Sequence, residues 1–339
     1  MSSTLRSVLT KQLPSSAFSS SHRSQSHDNT PLSWDEFFDD CCNVDIDGDI
    51  FNVYLKGTSG PVFYLLHGGG YSGLTWACFA AELSSRIQCQ LLVPDLRGHG
   101  QTHTKDETDF STDRQSRDII NIYNAVFGSK EGEPPNVCLV GHSMGGALAI
   151  HAVALNEIPN VMGLAVVDVV EGSAMDALSG MLVFLRGRPT TFDSEEKAVA
   201  WCLQSGTTRN RQAARISMPS QLRKMDDGKY TWRIDLTITE PYWVGWFQGL
   251  SSKFLSCYPP KLLVLAGVDR LDKDLTIAQM QGKFQTTILP KVGHAVQEDS
   301  PDRLADELAR FAIRHKFAEA VPGSKPIASR PIMEMGMIP

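Results

Sequence analysis

The chain has 339 residues, of which 42% are hydrophobic and 21% charged, with a net charge of −6. This length suits one large α/β unit or two smaller domains, and the acidic balance argues against a nucleic acid or an anionic membrane as the main partner. The longest apolar runs, KLLVLAGV and VMGLAVVDVV, have strand length and fall far short of the ~20 residues that cross a bilayer, so no membrane association is expected.

Residues 1–31 are rich in serine, carry Arg6, Lys11 and Arg23 and hold no acid before Asp28. They read as a disordered tail without the apolar stretch of a secretory signal. IFNVYLKGTSG then reads as a strand ending at a turn, and PVFYLLHGGG as a buried strand running into glycines. A helix is expected over LTWACFAAELSSR and a strand over CQLLVPDLRGHG. In residues 111–127, Ile119, Ile120, Tyr123, Val126 and Phe127 share one helical face, with Ser111 placed as N-cap. The strand NVCLVG leads into GHSMGGALAIHAVAL, and VMGLAVVDVV follows as another strand.

Apolar strands alternating with amphipathic helices predict an α/β fold with a mostly parallel sheet and helices on both faces. The rhythm breaks over 171–258, where AMDALSGMLVFLRG, DSEEKAVAWCLQSG and YWVGWFQGLSSKFLS read as helices and YTWRIDL is the one β-like piece. The parallel pattern resumes with KLLVLAGVD, DLTIAQMQGKF, QTTILP and PDRLADELARFAIRHKF. The expected organisation is a core over 32–170 and 259–317, a mainly helical cap over 171–258 inserted between strands 6 and 7, and a loosely held tail over 318–339. Seven cysteines with no CxxC pair read as reduced thiols of a cytoplasmic or nuclear protein.

The chemistry centres on Gly141-His142-Ser143-Met144-Gly145, a G-x-S-x-G pattern between a strand and a helix. That setting forms a sharp turn exposing a serine hydroxyl. Serine is a weak nucleophile near neutral pH and needs a base and a site for the developing negative charge. His67-Gly68-Gly69-Gly70 matches a loop that donates one backbone N–H to an oxyanion, the second coming from Met144. Among nine histidines, His294 is the candidate base because it follows the last strand; His67 and His99 precede the serine, and His142, adjacent to it, must point elsewhere. Two strand ends offer an acid, Asp168 and Asp269, with Asp272 just beyond. Either could reach, and the pattern leans slightly to Asp269. No metal-ligand spacing is present, and no metal or other cofactor is expected.

LLHGGGYSGLTWA, DLRGHGQT, GHSMGGALAIHA, VVDVVEGSAMDAL, FLRGRPTTF, YTWRIDL, GWFQGLS, KLLVLAGVDRLDKDLTIAQMQGKFQ and GHAVQEDSPD together resemble the protein phosphatase methylesterase family over residues 32–318. The resemblance implies an α/β-hydrolase fold and a serine carboxylesterase acting through an acyl-enzyme. It assigns the catalytic acid to the DVVEG segment, hence Asp168 with Ser143 and His294, and leaves Asp269 a structural residue at the rim of the cap. The implied substrate and partner is the protein phosphatase 2A catalytic subunit, methylated on its C-terminal leucine. Met175, Leu178, Met181, Phe184 and Trp201 of the cap could line a groove for that leucine, or simply form the cap's own core. The family's long acidic insert before YTWRI is replaced here by KMDDGK. The competing readings are a general esterase or lipase for small esters and a non-catalytic phosphatase-binding scaffold.

Overall fold

The computed structural model describes residues 28–128, 132–267 and 271–323. Its strands, numbered along the chain, are β1 (Asp40–Ile46), β2 (Asp49–Lys56), β3 (Val62–Leu66), β4 (Gln90–Pro94), β5 (Val137–His142), β6 (Val161–Val167), β7 (Thr191–Phe192), β8 (Leu222–Lys224), β9 (Tyr230–Trp232), β10 (Lys261–Leu265) and β11 (Gln285–Ile288). Eight of them form one sheet in the order β1-β2-β4-β3-β5-β6-β10-β11. From β4 to β11 every neighbour runs parallel, while β1 and β2 add an antiparallel edge. Strand β1 is an addition to the elements expected from sequence: Cys42, Val44 and Ile46 alternate with exposed Asn43 and Asp45 and pack against the core.

Alternation along β3 explains why both sheet faces are covered. Val62, Tyr64 and Leu66 point into one cluster, with helices α2 (Thr112–Phe127) and α3 (Met144–Ala154). Phe63 and Leu65 point into the other, with α1 (Ala77–Ser84) and the C-terminal helix. Side chains two apart share a face, so a strand apolar throughout must be sandwiched. The expected face of α2 is formed: Ile119, Ile120, Tyr123 and Phe127 are buried, and the Ser111 hydroxyl accepts the Arg114 N–H at 3.3 Å.

Between β6 and β10 the chain builds α4 (Glu171–Arg186), α5 (Glu195–Ser205), α6 (Arg211–Ser220), α7 (Trp243–Phe247) and α8 (Leu250–Ser256). The expected single β-like piece is instead a three-stranded antiparallel sheet, β7-β9-β8, of which YTWRIDL supplies only Tyr230–Trp232. Strands of two or three residues are too short to carry a period. This sheet closes a small core of Phe192, Val199, Cys202, Met218 and Leu222, backed by Trp201 and Trp232. The chain then returns through α9 (Lys273–Met280), α10 (Val296–Asp299) and α11 (Pro301–Arg314).

Docked residues extend a little into both segments expected as tails, 1–31 and 318–339. Asp28 pairs with Arg215 at 2.9 Å and Thr30 O accepts from the same guanidinium at 2.6 Å, fastening 28–31 to α6. At the other end Gln88 donates to Glu319 O and Val321 to Arg86 O, so residues 318–321 are docked and not loose. Residues 1–27 and 324–339 lie outside the described residues. Among the described residues no helix is long and apolar enough to cross a membrane.

Candidate active site

Parallel strands deliver their carboxyl ends to one edge, where α/β proteins place their sites. Here β3 ends at His67, β5 at Ser143, β6 at Asp168, and β11 feeds the loop that carries His294.

Ser143 joins β5 to α3 with φ 52° and ψ −119°, a conformation costly to a side-chain-bearing residue. The turn is held from below by main chain: Ser143 N–H donates to Val167 O at 3.0 Å. It closes only because its neighbours lack side chains. A Cβ on Gly145 would lie 2.4 Å from Leu66 O and 2.5 Å from His67 O, and one on Gly141 would lie 2.2 Å from Gly145 O. The residue after the serine, Met144, opens α3; its N–H has no helical carbonyl one turn behind it.

The glycine loop is fixed by two buried imidazoles from neighbouring turns. His67 Nε2 accepts the Leu96 N–H and His99 Nε2 accepts the Gly70 N–H, both at 2.9 Å, while their Nδ1–H groups donate to Gly68 O and Arg97 O at 2.8 Å. Burial pushes the His99 pKa down to about 4, which keeps that ring neutral and able to accept. The Gly69 N–H has no acceptor among the described residues.

Asp168 also sits at positive φ, 54°. Its N–H donates to Val264 O at 2.8 Å, and its Oδ1 accepts the Ala266 N–H at 2.9 Å. The other oxygen, Oδ2, is 2.7 Å from His294 Nδ1. Asp168 is buried, whereas the His294 side chain is 48% exposed. A carboxylate on Nδ1–H leaves the lone pair on Nε2, the tautomer a general base needs. Of the other acids weighed from sequence, Asp269 lies outside the described residues, and Asp272 caps α9 through Leu275 N–H at 2.9 Å.

His142, adjacent to the serine in sequence, points to the other side of the turn. Its Nε2–H donates to the backbone carbonyl of His294 at 2.9 Å, and its Nδ1 accepts from Gln297 Nε2 at 3.2 Å. Burial, followed by the nearby His294 ring, pushes its pKa down to about 3. Gln297 goes on to Thr75 Oγ1 at 2.9 Å, and Thr75 donates to Glu298 at 2.6 Å. Asp299 accepts from Gly293 N–H at 2.6 Å and Arg209 N–H at 2.7 Å, tying the His294 loop to the segment between β6 and β10. These residues went unrecognised in the sequence as supports. Their one signal is a run of polar residues, VQEDS, directly after the candidate histidine.

Of the groove candidates, Met175, Leu178 and Met181 are partly buried against the core, and Phe184 is 38% exposed. Trp201 instead belongs to the cap's own aromatic cluster, 5.6 Å from Trp232 and 5.7 Å from Phe192 between ring centres.

A strained serine on a strand-to-helix turn, a glycine loop and an Asp–His pair at one sheet edge define an α/β hydrolase. The model of the alpha/beta hydrolase family matches residues 63–307. Among solved structures, E-2-(acetamidomethylene)succinate hydrolase superposes with a TM-score of 0.67 at 22% identity, covering 80% of this chain and 98% of that one. A probable protein phosphatase methylesterase 1 of Caenorhabditis elegans is 58% identical over 96% of this chain and 89% of its own length. Protein phosphatase methylesterase 1 of Homo sapiens is 45% identical over 87% of this chain and 88% of its own. The chain therefore belongs to the protein phosphatase methylesterases, carboxylic ester hydrolases of the α/β-hydrolase fold.

Proposed function

We propose that this enzyme removes the methyl ester from the C-terminal leucine of the protein phosphatase 2A catalytic subunit, in the cytoplasm or nucleus, with Ser143, His294 and Asp168 as its triad. The observation that carries the triad is the 2.7 Å contact between Asp168 Oδ2 and His294 Nδ1 at the sheet edge that also presents Ser143. Ser143 Oγ attacks the ester carbonyl while His294 Nε2 takes its proton, and the Gly69 and Met144 N–H groups hold the oxyanion. His294 returns the proton to the departing methanol. A water, activated by the same imidazole, then releases the carboxylate from Ser143. No step requires a metal or other cofactor.

Residues 171–258 act as the substrate-recognition cap, with Met175, Leu178, Met181 and Phe184 accepting the leucine and Trp201 acting only through Trp232. Methanol release from the methylated phosphatase tests the assignment. Asp168→Asn is expected to lower kcat about 10⁴-fold by leaving the imidazole in the wrong tautomer, whereas Asp269→Asn leaves it within about 3-fold. The reverse ranking would move the acid to the later strand end. Hydrolysis of short acyl esters in preference to the methylated phosphatase would favour the general-esterase reading. Turnover that survives Ser143→Ala would remove the serine mechanism.

A further inference from the structure

Arg188 lies beside the glycine loop and forms no salt bridge among the described residues. Its guanidinium carbon lies 4.1 Å from the centre of the Trp232 ring. Trp232 is itself fixed by its Nε1–H to Pro189 O at 2.7 Å and by edge contacts with Trp201 and Phe192. The Arg188 Nε–H is buried and finds no acceptor among the described residues. Burial lowers its pKa from the usual arginine value, and of the two groups whose charge opposes that, Asp235 caps Thr237 through its N–H at 3.0 Å and hydroxyl at 2.7 Å. The second is the buried Tyr71 hydroxyl, whose own pKa is pushed far up, so it stays neutral. A half-buried guanidinium whose Nε–H is buried and unmet costs stability unless something it binds repays it.

Its position says what that is. The space a Cβ would occupy on Gly70 is 3.9 Å from Arg188 Nη1 and 2.8 Å from Leu236, so arginine and leucine together roof the loop next to Gly69. The ester entering this loop is neutral. Hydrolysis changes that: water adds to the acyl carbonyl, the bond to Ser143 Oγ breaks, His294 returns the proton to Oγ, and the terminal acid, with a pKa of about 3.5, ionises. The oxyanions formed during the two steps are transient and rest on the Gly69 and Met144 N–H groups; a lasting charge appears at the glycine loop only once the acid is free, where a rigid planar donor suited to carboxylates is waiting.

We propose that Arg188 binds the carboxylate formed on the acyl product, so that this site holds the terminal acid more tightly than its methyl ester. The proposal rests on the methylesterase reading above. It is tested with full-length enzyme carrying Ser143→Ala, titrated calorimetrically with the phosphatase catalytic subunit in methylated and unmethylated form. Adding Arg188→Gln is expected to weaken the unmethylated form about 10-fold or more and the methylated form by less than about 3-fold. Arg188→Lys, which keeps the charge without the planar fork, is expected in between, and it carries the same comparison should the neutral variant fail to fold.

Equal weakening of both forms would place Arg188 on a group upstream of the ester, and no weakening of either would leave it without a ligand. Each outcome overturns the proposal. Failure of the methylesterase reading is a separate result, an absence of methanol release by the unsubstituted enzyme.

Discussion

The two halves of the candidate site are held by different forces. Ser143 and Asp168 are set by main chain: both sit at strand ends, both have positive φ, and both donate their N–H to the adjacent parallel strand. His294 is set by side chains, through Asp168, through His142 on its carbonyl and through Asp299 on the N–H of Gly293. Ladder hydrogen bonds inside a buried sheet open only with the whole fold, whereas a loop held by a few polar contacts can open alone. The nucleophile half is therefore rigid, and the base half is adjustable and wired to the cap.

The most severe test removes the chemistry without touching either support. Ser143→Ala is expected to cut ester hydrolysis by about 10⁴-fold or more with an unchanged melting temperature; a lowered melting temperature would mean the hydroxyl also supports the turn. Next comes an attack on the main-chain half. Gly145→Ala forces a Cβ against two carbonyl oxygens and is expected to cost about 3 kcal/mol or more in denaturant unfolding, since neither backbone segment can retreat.

The base half responds to pH. Glu298 is fully buried, which raises its pKa to about 7. An acid whose folded pKa lies above its unfolded value binds extra protons in the folded state, so stability is highest below about pH 4.5 on this account and falls as pH rises through 7. Glu298→Gln should flatten that slope and raise stability at pH 8 by on the order of 2 kcal/mol; a slope that persists would acquit Glu298. The smallest effect is expected for His142→Ala, which removes the side-chain donor from the His294 carbonyl and leaves it only the Val296 N–H at 3.0 Å. It should lower kcat about 10-fold, worth about 1.4 kcal/mol of barrier, while KM stays level. A change in KM alone would instead make His142 part of the substrate wall.

How much of this was legible follows how locally each feature is encoded. The G-x-S-x-G turn, the glycine loop and the strand-helix alternation are properties of neighbouring residues, and all appear in the structure where the sequence puts them. The two- and three-residue strands between β6 and β10 carried no period long enough to read. The supports of His294 were missed for another reason: Gln297, Glu298 and Asp299 look like an ordinary polar run, and only their burial makes them unusual. Arg188 was invisible in the same way, since an unpaired arginine differs from a surface one only through its surroundings.

By itself the sequence determined the family, the fold class and the residue that must carry the strained turn, because close backbone approach at Gly141 and Gly145 is written directly in residue type. Only the tertiary structure decided which groups meet. Asp168 and His294 lie 126 residues apart and touch, since β6 and the loop after β11 open at one edge of a parallel sheet. Residue order cannot reveal that contact, because β6 and β10, the strands that precede the two candidate acids in sequence, are neighbours in the sheet and equally plausible in one dimension. The same folding stacks Arg188 on Trp232 above a loop more than a hundred residues earlier in the chain, a placement fixed by packing and not by pattern.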